Sequence, residues 1–150
     1  MHFEQIHGDY QISTDPARLD VDSIHAFLSR SYWAEQIPQA TVRAAIDGSL
    51  CFGVYREREQ VGFARIITDY ATFAYLCDVY IEPAHRNYGL SKLLVGAIQK
   101  HPRLQDLKRW CLVTRDAHGL YEQFGFRRDE CGGWMEIVDL EIYKRALPRS

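Results

Sequence analysis

The residues with the clearest chemical potential lie in the stretch 78–94. An apolar strand ends at Pro83, and a short polar loop then leads into an amphipathic helix that begins near Gly89. The free N–H groups of such a loop and the helix dipole point at the same spot, which favours an anion. Arg86 and Lys92 add positive charge beside it. The stretch therefore predicts a binding site for a ligand that carries phosphate.

A second stretch with chemical potential is 112–126, which reads Leu-Val-Thr-Arg-Asp-Ala-His-Gly-Leu-Tyr-Glu-Gln-Phe-Gly-Phe. It predicts a strand end followed by a short helix that carries Tyr121 and is closed by Gly125. A phenol, with a pKa of about 10, is protonated at neutral pH and can donate to a leaving group. The alternative is that Tyr121 only packs its helix onto a sheet.

Both stretches resemble signatures of the GCN5-related N-acetyltransferases, the GNAT family. The order Arg86-x-x-Gly89-x-Ser91 resembles the family's acyl-CoA pyrophosphate loop, which usually reads Arg/Gln-x-x-Gly-x-Gly/Ala. The second signature is matched in register by Ala117, Leu120, Tyr121, Glu122, Gly125 and Phe126. Ser91 departs from the family's Gly or Ala, and Thr114 stands where the family often has Asn. The two signatures together span residues 62–128, about half of the chain.

The resemblance implies acetyl-CoA as co-substrate and no metal. In the family, the tyrosine that corresponds to Tyr121 lies near the thioester sulfur, so Tyr121 is expected to be the general acid for the departing thiolate. A backbone N–H around 79–81 is expected to bind the oxyanion. The residues expected to contact the co-substrate are Val79, Tyr80, Ile81, Arg86, Asn87, Tyr88, Gly89, Leu90, Ser91, Lys92, Thr114 and Tyr121.

Transfer to an amine also needs the amine to lose a proton. Asp78 is the preferred acceptor of that proton, because it interrupts an apolar strand, where a carboxylate is costly without a partner or a task. An ion pair between Asp78 and Arg65 is an equally good interpretation, and both remain open. Glu82 is a second candidate, and His118 is a minor one.

The resemblance places the acceptor between the first helices and the middle strands. The residues expected there are Tyr32, Trp33, Arg65, Phe73 and Tyr75. The aromatic side chains could form a wall for an amine or a cation–π surface for an ammonium group, although packing is the commoner role of such residues. Arg65, with Arg43 or Arg115, could hold a carboxylate of the acceptor.

Length, composition, net charge and cysteine spacing limit the class of protein that the chain can be. A chain of 150 residues with 47% hydrophobic residues is expected to form one domain, 1–150. A net charge of −2 gives no reason to expect nucleic acid or an anionic membrane as partner. The four cysteines are widely spaced, without a Cys-x-x-Cys pair. The sequence shows no signal peptide and no apolar window of about 20 residues. A cytoplasmic protein is expected.

Hydrophobic periodicity and turn residues predict the order of elements. The predicted helices are Asp20–Ser31, Pro38–Asp47, Gly89–His101 and Ala117–Phe124, and the predicted strands are Tyr10–Ser13, Leu50–Arg56, Gln60–Asp69, Thr72–Ile81, Arg109–Thr114, Phe126–Arg128 and Met135–Asp139. This order predicts a mixed α/β sheet, in which an antiparallel meander is followed by a parallel β-α-β crossover, as in the GNAT acyl-CoA N-acyltransferase fold. Ligands bind such sheets at the carboxyl ends of the parallel strands.

The leading hypothesis is an N-acetyltransferase that moves an acetyl group from acetyl-CoA to a primary amine of a small molecule, by direct attack in a ternary complex. Two alternatives remain: an acetyltransferase for protein N-termini or lysines, and a non-catalytic acyl-CoA sensor. Dimers are common in the family, and the C-terminal segment Ile137–Ser150 could serve a homodimer.

Overall fold

The computed structural model of the chain describes residues 1–130 and 132–145. Its centre is one six-stranded sheet whose strands are neighbours in chain order. The strands are β1 (Glu4–His7), β2 (Tyr10–Ser13), β3 (Leu50–Arg56), β4 (Glu59–Thr68), β5 (Phe73–Ile81) and β6 (Arg109–Leu112). All neighbours are antiparallel except β5 and β6, which are parallel. The predicted mixed α/β sheet with a parallel crossover is confirmed.

Five helices flank or follow the sheet: α1 (Val21–Leu28), α2 (Gln39–Asp47), α3 (Leu90–Lys100), α4 (His118–Glu122) and α5 (Ile142–Arg145). Local chemistry sets their ends. The Asp20 carboxylate accepts the Ser23 N–H and caps α1. Gly89, at φ 75°, turns the chain into α3, and Pro102 follows its end. The boundaries of α1 to α4 lie within three residues of the predicted helices, and α5 was not predicted.

The sheet separates two hydrophobic clusters. The α3 cluster contains Phe52, Val54, Ala64, Ile66, Leu76 and Ile81 from the strands and Leu90, Leu94, Val95, Ala97 and Ile98 from α3. The α1–α2 cluster contains Ile24, Leu28, Ile37 and Val42 together with Cys51, Phe63 and Tyr80 from the strands. Because successive strand residues point to opposite faces, the three central strands β3, β4 and β5 contribute to both clusters. The sheet is thus held rigidly from both sides.

Three strand predictions need correction. The sequence analysis missed β1, which is an edge strand with mostly exposed side chains and therefore lacks apolar alternation. The predictions of strands at Phe126–Arg128 and Met135–Asp139 are wrong, since neither segment is paired in a ladder in the part of the chain that the structure describes. Apolar alternation alone does not decide whether a segment pairs in a sheet.

Candidate active site

β5 and β6 stop pairing before β5 ends, and the gap between the two strands beyond Leu76 is called the cleft below. The parallel ladder joins Phe73–Leu76 to Arg109–Leu112 and ends there, whereas β5 continues to Ile81. Beyond Leu76, β5 has no ladder partner on the β6 side among the described residues, so its backbone N–H and C=O groups face the cleft. Such an edge can pair with an extended ligand that carries amide groups.

The wall of this cleft is distorted by a β-bulge. The ladder between β4 and β5 shifts register so that Asp78 and Val79 together stand opposite Ala64. Asp78 adopts φ 55°, in the left-handed region that Asp tolerates better than most residues. The bulge redirects the Asp78 side chain and the backbone after it. The region expected to bind the oxyanion, 79–81, therefore lies directly after the bulge.

Asp78 is held by two partners. Its Oδ2 atom lies 2.8 Å from Nε of Arg65, and its Oδ1 atom accepts a hydrogen bond of 3.0 Å from the indole N–H of Trp33. The Asp78 side chain is 11% exposed and that of Arg65 17%. Arg65 also donates to the Ser49 hydroxyl at 3.1 Å. Of the two interpretations, the ion pair is what the geometry displays, and a role of Asp78 as proton acceptor stays a prediction.

Two left-handed residues shape the backbone of the predicted phosphate loop. Asn87 (φ 71°) and Gly89 (φ 75°) both adopt the left-handed conformation just before α3. Left-handed residues next to right-handed ones bring successive backbone N–H groups to one side of a loop. No side chain caps the N-terminus of α3. A Cβ atom added at Gly89 would meet no atom within 4 Å, so the space beside it is open. The loop is exposed from Arg86 to Gly89, as an anion site requires.

Two contacts missed by the sequence analysis fix this loop. The Tyr10 hydroxyl on β2 lies 3.0 Å from Nδ1 of His85, and the two rings meet edge to face. Arg86 donates from Nε to the Ile81 carbonyl at 3.0 Å. The Nε atom of Arg86 thus helps to hold the loop, and this hydrogen bond does not involve the two terminal guanidinium nitrogens. The loop is thus attached to the sheet at both β2 and β5.

Tyr121 occupies a buried position on α4. Its side chain is 8% exposed and meets Phe126 edge to face. Burial, with a smaller contribution from the Tyr32 phenol, raises the pKa of Tyr121 to about 12. Tyr121 is therefore fully protonated at neutral pH.

The loop between α1 and α2 contacts both β5 and the segment that follows β6. Trp33 contacts β5 through Asp78, and the Tyr32 hydroxyl accepts the backbone N–H of Arg115 at 3.4 Å. The Arg115 guanidinium lies 3.7 Å from the centre of the Tyr32 ring. Tyr32 and Trp33 also meet edge to face. These contacts tie the loop to both walls and leave the two aromatic rings about half exposed.

The other predicted site residues are less central. Phe73 and Tyr75 are half-buried on the paired half of β5, and no hydrogen bond, ion pair or ring contact in the described chain links Phe73 to Tyr32 or Trp33. The Tyr80 side chain stacks on Phe27 in the α1–α2 cluster at 3.8 Å, so only its backbone can serve the cleft.

Several predicted co-substrate residues have a structural role as well. Ile81 and Leu90 are buried in the α3 cluster, so they too can offer only backbone atoms. The Thr114 hydroxyl accepts the Ala117 N–H at 3.0 Å, which fixes the turn into α4. Ser91 is partly exposed in the first turn of α3, and Tyr88 and Lys92 are exposed. None of these placements contradicts the prediction of a co-substrate site.

Cys51 and Cys77 lack the character of acyl carriers. Burial raises the pKa of Cys51 and of Cys77 to about 12, which suppresses the nucleophilic thiolate. Cys111 is a free, half-buried thiol, and Cys131 lies outside the described residues. Residues 1–130 and 132–145 contain no cluster of His, Cys, Asp and Glu suited to a metal ion. Within the same residues, no helix has the length and apolar character needed to cross a membrane.

Comparisons with known proteins agree with this geometry. Residues 20–126 match the acetyltransferase (GNAT) family. A Gibberella zeae protein named as an inferred acetyltransferase is 40% identical over 138 residues, which covers 76% of this chain and 76% of that protein. A crystal structure from Xanthomonas campestris pv. campestris, described as an inferred GNAT acetyltransferase, is 48% identical with a TM-score of 0.88 and covers 93% of this chain and 98% of that one.

A more distant structure shares the fold alone. It is a protein from Clostridium acetobutylicum that was solved with acetyl-CoA, with 15% identity, a TM-score of 0.59 and coverage of 88% of this chain and 96% of that one. The family match extends over most of the chain and includes both stretches singled out by their chemistry. The chain belongs to the GNAT family of acetyltransferases.

Proposed function

We propose that the protein is an acetyl-CoA-dependent N-acetyltransferase whose acceptor is a primary amine on a small molecule. One observation supports the proposal: β5 and β6 stop pairing beyond Leu76, the uncapped N-terminus of α3 follows β5, and α4, which carries the protonated phenol of Tyr121, follows β6. The uncapped N-terminus suits a pyrophosphate and the phenol suits a leaving thiolate.

The residues of the loop fit coenzyme A. The open space at Gly89 and the left-handed turns at Asn87 and Gly89 leave backbone N–H groups free for phosphate oxygens. Arg86 and Lys92 would add charge, and the unpaired half of β5 would bind the amide-bearing arm. Acetyl-CoA would supply the acetyl group as an activated thioester.

Tyr121 would donate a hydrogen bond to the sulfur as negative charge develops there. With a pKa of about 12, it is a weaker acid than a thiol. Its role is therefore stabilisation of developing charge by a fixed donor, and full transfer of the proton is not required. A buried, oriented donor of this kind costs no reorganisation during the reaction.

Asp78 would act as a positioning residue. Both of its oxygens are occupied, one by Arg65 and one by Trp33, so it fixes the bulge and the α1–α2 loop over the acceptor. The amine proton would pass to water at the exposed mouth between Tyr32 and Trp33. The reaction rate would then follow the neutral fraction of the acceptor amine.

The mouth of the cleft supports a small acceptor. Tyr32 and Trp33 offer two exposed aromatic faces, which favour an amine with an apolar body or an ammonium group. The two buried thiols with raised pKa values support direct attack without a covalent acyl-enzyme.

A thiol-release assay over a panel of primary amines tests the proposal. The panel should include aryl-alkyl amines, amino acids, polyamines, and peptides with a free N-terminus or a lysine, with product masses measured by mass spectrometry. We expect release of free coenzyme A with small amines that carry an apolar body. Turnover of peptides alone would indicate a protein acetyltransferase. Binding of acetyl-CoA without turnover of any amine would favour a non-catalytic acyl-CoA sensor.

A further inference from the structure

Arg115 is fixed by two contacts with Tyr32, one at each end of the residue. Its backbone N–H donates to the Tyr32 hydroxyl at 3.4 Å, and its guanidinium lies 3.7 Å from the centre of the Tyr32 ring. The turn that carries Arg115 is held as well, because the Thr114 hydroxyl accepts the Ala117 N–H at 3.0 Å. The chain itself therefore positions both the backbone and the charged end of Arg115.

The charge of Arg115 has no counter-ion in the part of the chain that the structure describes. None of the ion pairs found in residues 1–130 and 132–145 includes Arg115, and its exposed neighbour Asp116 does not pair with it. A guanidinium that lies over an aromatic face keeps its N–H donors, which lie in its own plane, for other partners. Such a fixed, planar set of donors suits a carboxylate.

Arg65 and Arg43, the other arginines expected near the acceptor, are less suited to bind an anion. Arg65 is 17% exposed and is already paired with Asp78. Arg43 is exposed on α2, and no cation–π contact in residues 1–130 and 132–145 joins it to Tyr32. Of the three arginines, Arg115 is the one that the structure holds against an exposed aromatic ring of the α1–α2 loop.

The space around Asp78 is too small for the acceptor itself. The apolar cavity between α1, α2 and the sheet, which Asp78 and Arg65 border, has a volume of about 10 Å³. Such a space holds at most one water, so the body of an amine does not fit inside. Tyr32 and Trp33 are open instead, with exposures of 48% and 41%. An acceptor whose apolar body lies on these two rings comes next to the Arg115 guanidinium.

We infer that the acceptor carries a carboxylate in addition to its primary amine and apolar body, and that Arg115 binds this carboxylate. The inference rests on the proposed function, since it assigns one more group of the same acceptor. Tyr32 positions the guanidinium, and the incoming carboxylate displaces water from it. The acceptor class is thus amino acids and related amino-carboxylates with an apolar body, and Arg115 determines the specificity for them.

Steady-state kinetics with matched acceptors test the inference. Two pairs serve, phenylalanine with phenylalaninamide and para-aminomethylbenzoate with its carboxamide, and rates are compared at equal concentrations of neutral amine. We expect the carboxylates to have a kcat/KM about 10-fold or more above that of the carboxamides, which is the factor for one charge-assisted hydrogen bond. Arg115→Gln should remove this preference through KM and leave the kcat for the carboxamides unchanged.

Arg103→Gln is the matched control. The Arg103 guanidinium lies 3.6 Å from the centre of the Tyr70 ring, so this variant loses the same kind of contact. Arg103 follows the C-terminal end of α3, whereas the phosphate loop precedes its N-terminal end. The control should keep the wild-type preference. Arg115→Lys should keep part of it, because it retains the charge without the planar fork.

Three results would overturn the inference. They are equal kcat/KM values for carboxylates and carboxamides, a preference that survives Arg115→Gln, and a loss of acetyl-CoA affinity in Arg115→Gln, which would mean that Arg115 binds a phosphate of the co-substrate. If no amine is turned over, the proposed function fails, and titration of para-aminomethylbenzoate into the wild type and Arg115→Gln decides the inference separately. Binding that Arg115→Gln removes would support a carboxylate site at Arg115, and equal binding or none by both proteins would overturn it.

Discussion

Replacing Asp78 with Asn should strongly destabilise the protein, because it leaves the charge of Arg65 enclosed without its counter-ion. The two side chains are 11% and 17% exposed and are joined by a contact of 2.8 Å. Asn has almost the same shape as Asp and tolerates the left-handed backbone at φ 55°. The substitution therefore changes charge with little change in backbone strain or packing.

The magnitude follows from the burial of the pair. Removal of one partner of a fully buried ion pair costs about 3–5 kcal/mol. Arg65 keeps the Ser49 hydroxyl as a partner, and both side chains retain some exposure. We therefore expect the free energy of unfolding to fall by about 2–4 kcal/mol. For a domain of this size, that corresponds to a decrease in Tm of roughly 4–16 °C.

Urea denaturation of a double-mutant cycle measures the effect. The variants are Asp78→Asn, Arg65→Met and the combination, in which no enclosed charge is left. The double variant should lose less stability than the sum of the single variants, with a coupling of at least about 1.5 kcal/mol. A loss below about 0.5 kcal/mol for Asp78→Asn, or strictly additive effects, would refute the reasoning.

The same cycle separates the two roles of Asp78. If Asp78 only positions the bulge and Trp33, the kcat of the double variant should recover together with its stability. A kcat that stays about 10²–10⁴-fold low in a stable double variant would restore Asp78 as the proton acceptor.

Three further predictions concern protonation. Tyr121→Phe should lower kcat about 10²-fold or more with little change in KM, since the hydrogen bond stabilises charge that develops in the transition state. Steady-state kinetics measure both constants. Near-normal turnover in this variant would leave Tyr121 with a packing role only. The value of kcat/KM should rise with pH as the neutral fraction of the amine increases. Ionisation of Tyr121 should not lower kcat/KM below about pH 10, because burial raises the pKa of Tyr121 to about 12. A decrease in kcat/KM near pH 8 that disappears in Tyr121→Phe would contradict this. Burial, and then the Arg103 charge, lower the pKa of His101, whose neutral ring accepts the Arg103 N–H. The unfolded chain therefore binds the proton more readily, so stability should fall as pH decreases below about 6.5. Urea titrations at pH 7 and pH 5 should show this loss, and His101→Gln should reduce it; an equal loss in the variant would exclude His101 as its source.

The crossover that builds the cleft could be predicted because its signals are local. Pro83 and Gly89 mark the connection into α3, and Pro102 marks its end. The apolar stripe of α3 repeats at helical spacing. Tyr121 was singled out because its short contiguous stretch resembles the family's second signature, and its catalytic role stays a prediction. Local signals thus predicted the elements on both sides of the cleft.

The contacts that assemble the site have no such signal. Trp33 and Asp78 are 45 residues apart, and Tyr10 and His85 are 75 apart, so only the folded sheet brings each pair together. The bulge at Asp78 inserts one residue into an otherwise regular strand, which alternation cannot reveal. The C-terminal strand prediction failed because an apolar, alternating sequence does not by itself decide whether a segment pairs in a sheet.

The most direct test of the central claim is isothermal titration of acetyl-CoA into the wild type, Gly89→Asp and Gly8→Asp. Both glycines have positive φ values, 75° and 57°, and open space where a side chain would lie, so the two substitutions impose similar backbone strain. Only Gly89 lies at the phosphate loop. We expect stoichiometric binding by the wild type and by Gly8→Asp, and no measurable binding by Gly89→Asp. Absence of binding by the wild type, or unchanged affinity in Gly89→Asp, would contradict the assignment of this cleft to coenzyme A.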